Sequence, residues 1–440
     1  MTVAQSITKD SPTGERAASP AFRRLAIVAS LGSAIENYDF FVYAFTAPIV
    51  FERFFFPRMD PLAGTLAVYA TFAAGFIARP LGGLVFGHYG DRLGRKTVLM
   101  TTFVLMGIVS FLIGCLPSYD TIGIGAPIAL VVLRFVQGFA FGGEYMNAVS
   151  LTIENAPTAR RGFFASWINA AGPVGVVAAS GLIALLGGLV SREAFAIWAW
   201  RVPFLLSFVL VLIGTYARAH VDESVLFLAA KARATDERSP VTAVLRSWKA
   251  PVIQSCLVNM VHSAFLYMST VFVLGFAIHA LQMNVASIVS GLTVANLVEM
   301  CSVPLIASFS DKIGRRPFII AGIVLAAVWY PIFFEILQSK SPLAIMGGFV
   351  VSVGLIHALM FAPEAAFSAE LFPTKVRASG SSLGKQIGIV LGGGLAPLIG
   401  AALMGTGTSF TPVVLYFEAI AVLALIGVWL APESMRKLLD

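Results

Sequence analysis

The sequence predicts an all-α membrane protein, with twelve transmembrane helices arranged as two pseudo-symmetric six-helix halves. Three observations carry this. Hydrophobic residues make up 58% of the chain and charged residues only 12%, about half the charge of a soluble domain. Apolar stretches of the ~20 residues needed to cross a bilayer recur along the whole length. Two loop motifs return in the second half at nearly one offset, the mark of an internal repeat.

Reading for span length starts helices near Leu25, Leu62, Val98, Ile122, Phe163 and Trp198, then near Pro251, Val285, Phe318, Leu343, Ser379 and Phe410. The expected organisation is a tail (1–24), a first half (25–216), a central linker (217–250), a second half (251–431) and a closing tail (432–440). The opening stretch is polar and rich in Pro, Gly and Ser, the composition of a disordered tail. No secretory cleavage pattern precedes the first span, so it is expected to be retained as a helix.

Orientation follows from the basic residues, which are held on the cytoplasmic side. With both termini inside, 22 of the 30 Lys and Arg fall on cytoplasmic segments and four outside: Arg53, Arg58, Arg192 and Lys340. That asymmetry predicts a multi-pass protein of a bacterial-type inner membrane, its termini cytoplasmic. The net charge of +7 is scattered between apolar spans and forms no single patch, so lipid is the expected partner and nucleic acid is not.

The repeat comprises two motifs. Gly90-Asp91-Arg92-Leu93-Gly94-Arg95-Lys96 after the second span returns as Asp311-Lys312-Ile313-Gly314-Arg315-Arg316 after the eighth. Glu154-x-x-Pro157-Thr158-x-x-Arg161 after the fourth returns as Glu370-x-x-Pro373-Thr374-x-x-Arg377 after the tenth. Glycines permit a tight turn between helices, and an Asp there can meet a helix terminus or an Arg, latching one side of the protein. Gly90, Asp91, Arg92, Gly94, Arg95, Asp311, Gly314 and Arg315 are therefore expected gating residues, against the plainer reading of basic turns.

These loops, with Arg134-Phe-Val-Gln137-Gly138, resemble the signature elements of the major facilitator superfamily. Tyr38-Asp39-Phe40-Phe41, Arg79-Pro80-Leu81-Gly82-Gly83, Gly142-Gly143-Glu144, Trp200-Arg201-Val202-Pro203-Phe204 and Glu370-Leu371-Phe372-Pro373-Thr374 are similar to its metabolite:proton symporter family, from about Ile35 to Leu398. The resemblance implies proton-driven uptake of a small polar metabolite such as shikimate, 2-oxoglutarate, citrate, proline or betaine. Asn37, Met146-Asn147 and Lys385 depart from that family's usual residues, so no one substrate is carried over.

A charge in hydrocarbon costs about 2.5 kcal/mol or more, so each one inside a span is a candidate for function. Arg79 is expected to hold a substrate carboxylate, with Tyr38, His262 and Lys385 as further substrate contacts. Asp39 and Arg134 are expected to couple the proton, with Glu36 and, deeper toward the cytoplasm, Glu144 as further coupling candidates; static ion pairs are the plain alternative. Glu36 and Asp39 share one helix face. Glu364 and Lys385 come to nearly the same depth on consecutive helices and form a candidate ion pair, unless Lys385 snorkels to the headgroups.

Cys115, Cys256 and Cys301 stand alone in apolar stretches and read as buried thiols without chemistry. Glycine runs such as Gly392-Gly393-Gly394 lack the Lys-Ser/Thr ending of a phosphate loop and read as helix packing. With no metal spacing and no nucleophile motif, the expectation is a transporter without cofactor or metal, coupled to protons and monomeric, and no enzyme. The leading reading is an importer of an organic acid anion. A zwitterion symporter, an exporter of the same fold, a solute sensor and a membrane-embedded enzyme are the alternatives.

Overall fold

The computed structural model describes residues 20–93, 95–142, 145, 149, 160–219, 244, 246–373, 376–405 and 409–434, without side chains for 20–29, 87–93, 95–97, 99, 192, 217–219, 377 and 378. Twelve apolar helical rods account for most of them. In the first half these are α1 (Pro20–Thr46), α2 (Pro61–Leu93), α3 (Arg95–Cys115), α4 (Gly125–Phe141), α5 (Arg161–Leu189) and α6 (Arg201–Ala219). In the second they are α7 (Lys249–Tyr267, continuing to His279), α8 (Val285–Ile313), α9 (Arg315–Gln338), α10 (Pro342–Phe349, continuing to Glu370), α11 (Arg377–Ile389, continuing to Met404) and α12 (Thr411–Leu430). Helix α1 is described from Pro20 and is already helical ahead of Leu25.

Polarity runs inside out. Exposed apolar side chains such as Ile77, Leu81, Leu415 and Leu423 coat the outside of the bundle, whereas Asp39, Arg134, Glu299, Glu364 and Lys385 are buried. Only a lipid-facing shell makes that distribution favourable. Cys115 and Cys301 lie on this outer surface instead of being buried, because the shell that covers them is lipid; Cys256 is half-buried, and all three thiols are free.

The repeat reappears in the packing. A Cβ on Gly175 of α5 would collide with the Ala34 carbonyl of α1, and one on Gly392 of α11 would collide with the Met260 carbonyl of α7. The fifth helix of each half thus touches the backbone of the first, an approach that only the smallest residue permits.

Among the described residues five π-helical segments interrupt or adjoin the rods, including Met268–Phe272 in α7, Val350–His357 in α10 and Val390–Gly394 in α11. Such turns are rare in most proteins and gather at functional sites.

The halves meet at both ends of the bundle. At the end bearing the basic turns, Asp311 at the foot of α8 accepts from the backbone N–H groups of Gly162 and Phe163, at 3.0 and 2.9 Å, capping α5 of the other half. At the far end His279 of α7 donates to the Pro48 carbonyl at 3.0 Å, and Tyr69 of α2 donates to the Val271 carbonyl at 3.4 Å.

Candidate functional site

The charged centre of the first half is built on α1, α2 and α4. Arg79 and Arg134 are at most 3% exposed, and neither faces a carboxylate within ion-pair distance among the described residues. Aromatic rings hold them instead. The Arg79 guanidinium lies 4.5, 4.2 and 4.1 Å from the ring centres of Phe40, Phe76 and Phe141. That of Arg134 lies 3.8 Å from Tyr43. Negative ring faces partly offset the loss of water around a cation, yet they leave its N–H groups unused. Nε and Nη2 of both arginines lack a hydrogen-bond partner.

Asp39 and Arg134, expected to act together, are not in direct contact. Arg134 Nη1 donates to Gln137 Oε1 at 2.5 Å, and Gln137 Nε2 donates to Ser110 Oγ at 2.7 Å. Ser110 and Ser207 neighbour Asp39, whose two oxygens have no complete hydrogen bond among the described residues. The two residues are therefore bridged by neutral groups, because helix α3 contributes Ser110 between α1 and α4. Glu36 is buried on the same helix and lies within electrostatic range of Arg79, as does Tyr267 from the second half.

Other candidates land elsewhere. Tyr38 turns to α6 and donates to the Pro203 carbonyl at 2.8 Å, away from Arg79. One helical step from Asp39, its hydroxyl is spent on a backbone carbonyl of α6. Lys385 of α11 donates to Glu364 Oε2 at 2.8 Å, and its ammonium lies 3.9 Å from the ring centre of Tyr145. His262 meets His357 and Asn259 instead of an open site. Glu144 and Gly94 lie outside the described residues, as do the side chains of Asp91, Arg92 and Arg95; Gly90 is helical.

The second signature loop forms a charged knot. Arg315 pairs with Asp311 at 2.6 Å and with Glu370 at 3.4 Å, while Ser434 donates to the other Glu370 oxygen at 2.6 Å. Gly314, at φ 127°, makes a turn that side chains resist, and Glu433 accepts from the N–H groups of Arg315 and Arg316 to cap α9. The knot ties the loop motif, the end of α10 and the start of α5 in the other half into one contact.

Sequence reasoning missed Glu299, a buried carboxylate midway along α8, 2.5 Å from His357 Nδ1. The signal that picked out Asp39, a charge within an apolar run, was equally available for it.

An apolar shell around a buried, charged interface between two repeated halves is the anatomy of a solute transporter. The chain belongs to the Major Facilitator Superfamily, which it matches over residues 29–384 and 263–438. It is a multi-pass membrane transporter and not an enzyme. Over 390 residues it is 37% identical to the shikimate transporter of Escherichia coli, covering 87% of this chain and 88% of that one. It is also 37% identical to the inner membrane metabolite transport protein YhjE of E. coli, covering 94% and 95%. The proline/betaine transporter of Salmonella typhimurium is 33% identical, covering 94% and 85%. In fold it is similar to the xylose transporter XylE of E. coli in a partially occluded inward-open conformation, with TM-score 0.76 and 17% identity over 96% of this chain and 100% of the other.

Proposed function

We propose that this protein imports a small organic acid anion by proton symport through alternating access, as a monomer in a bacterial inner membrane with both termini cytoplasmic. The observation that carries the substrate class is Arg79: a buried guanidinium, stacked on three phenylalanine rings, with Nε and Nη2 unspent. A planar fork of donors held in place beforehand suits a carboxylate, which can accept two bonds from it. Asp39, Arg134, Gln137 and Ser110 supply the coupling group. A buried aspartate without a fixed partner can take up a proton when the cavity opens to one side and give it up on the other, while Arg134 stays charged throughout.

A zwitterion such as betaine would find an aromatic cage in the same rings, and the likeness to proline/betaine transporters favours that second reading. Those rings already hold the guanidinium of Arg79, which supports the anion instead. The coupling ion is the proton, and no cofactor is needed. Purified protein is screened for thermal stabilisation by mono-, di- and tricarboxylates, shikimate, proline and betaine. Stabilisation by carboxylates, followed by gradient-driven uptake of the best one into vesicles, supports the reading. Stabilisation by betaine alone replaces the anion with the zwitterion, and accumulation that survives collapse of the proton gradient ends symport.

A further inference from the structure

The second half contains a buried polar chain that the proposed function leaves unused. Glu299 of α8, His357 of α10 and His262 of α7 are each at most 4% exposed. Glu299 Oε1 lies 2.5 Å from His357 Nδ1, His357 Nε2 lies 3.4 Å from His262 Nδ1, and His262 Nε2 lies 3.3 Å from Asn259 Oδ1. Phe361 covers both imidazoles, its ring centre 5.1 Å from that of His357 and 5.5 Å from that of His262. His357 closes the π-helical segment of α10, the local irregularity that positions it.

Which atoms can donate fixes where the protons sit. Asn259 Nδ2 donates to the Ser255 carbonyl at 2.9 Å, and a carbonyl only accepts, so the amide oxygen is the atom facing His262. That oxygen also only accepts, so His262 carries a proton on Nε2. A neutral His262 then offers a lone pair at Nδ1, and His357 donates to it from Nε2. One proton remains between His357 Nδ1 and Glu299, whether as imidazolium with carboxylate or as imidazole with carboxylic acid. Either form is neutral overall, which is what a buried site requires.

Losing one proton reverses this order. Glu299, as a carboxylate, requires an N–H at His357 Nδ1, so the shared proton settles there. His357 Nε2 passes its proton to His262 Nδ1, and His262 Nε2 releases its own to water admitted when the cavity opens, leaving the single negative charge of Glu299 on the chain. No other bond changes. The bare Nε2 now faces the oxygen of Asn259, and the contact is restored only when the amide turns over. That turn gives up the bonds of Asn259 to the Ser255 carbonyl and, at 3.3 Å, to Ser368 Oγ. Ser368 is the hydroxyl that donates to Glu364 at 3.2 Å, and Glu364 holds Lys385.

We propose that Glu299, His357 and His262 form a second proton site, whose loss of one proton is transmitted through Asn259 and Ser368 to the Glu364–Lys385 pair. The charged and titratable groups around it are that pair, Tyr145 of the first half against Lys385, and Arg79 of α2 beyond it. The site thereby links α7, α8, α10 and α11 of one half to the substrate arginine of the other. It rests on the symport reading only for its consequence in transport, since the protonation itself is measurable without substrate.

The test is nitrogen NMR of the full-length chain in lipid nanodiscs, with histidine labelled by the heavy nitrogen isotope. The chain has five histidines, and His262→Asn and His357→Gln assign two of them. The expected result is a His262 ring protonated at Nε2 in acid that changes to Nδ1–H as pH rises, in one transition shared with loss of the Nε2 proton of His357. Glu299→Gln should abolish that transition and hold His262 in its Nε2–H form throughout. Glu299→Asp, which keeps the carboxyl, should retain the transition at a shifted pH and serves if the glutamine variant does not fold. Two rings titrating independently, or a shared transition unchanged by Glu299→Gln, would overturn the proposal. If the transition is present but uptake ignores the proton gradient, the symport reading fails and the proton site stands.

Discussion

The two halves follow one packing plan but treat their buried charges in opposite ways. In the first half Arg79 and Arg134 lean on aromatic rings, Asp39 neighbours Ser110 and Ser207, and much of their hydrogen-bonding capacity is unspent. In the second, Lys385 is bound to Glu364 and His357 to Glu299. An unspent buried donor is costly to the empty protein and is recovered only when a ligand arrives. A satisfied buried pair adds little net stability but is costly to break. The contrast is what the proposed function requires: a first half that receives a ligand, and a second that holds a charge balance protonation can alter.

The strongest way to break this comparison is Asp39→Asn, which should abolish uphill accumulation in vesicles bearing an inward proton gradient while leaving counterflow exchange measurable. Normal accumulation would move coupling out of the first half and onto the Glu299–His357 pair. Next in size, Glu364→Gln should destabilise the protein by about 3 kcal/mol, because Lys385 would remain buried without its counter-charge. Adding Lys385→Met should recover most of that loss, read by denaturant unfolding in detergent. Simple additivity of the two changes would show that the pair is not an energetic unit.

Arg79→Lys sharpens the other side of the contrast. A point ammonium keeps the charge but loses the fork, so affinity for the best carboxylate should fall roughly tenfold with melting temperature nearly unchanged. Equal affinity with an easily unfolded protein would make Arg79 a structural stacking residue. The smallest effect is expected at the latch: Asp311→Asn weakens the charged cap on α5 while Glu370 still pairs with Arg315, and should cost about 1 kcal/mol of stability. A larger loss would mean that the Arg315 knot, and not the cap, carries the contact.

The spans, the repeat and the identity of most buried charges were legible in the chain alone. Lipid makes each ionisable residue in an apolar run conspicuous, which is how Asp39, Arg79, Arg134, Glu364 and Lys385 stood out, and depth along consecutive helices was enough to set Lys385 beside Glu364. Glu299 carried the same signal and was passed over in a span read only for its length.

What the linear pattern does not encode is rotation. Each helix is free to turn about its own axis until its neighbours fix it, and a π-turn adds a residue that swings every later side chain by about 100°. Tertiary structure therefore decided that Tyr38 faces Pro203, that Gln137 and Ser110 stand between Arg134 and Asp39, and that His262, His357 and Glu299 from three helices share one line of hydrogen bonds. The hydrophobic period determines that a charge lies within a helix; only the packing of that helix against others determines which group it meets.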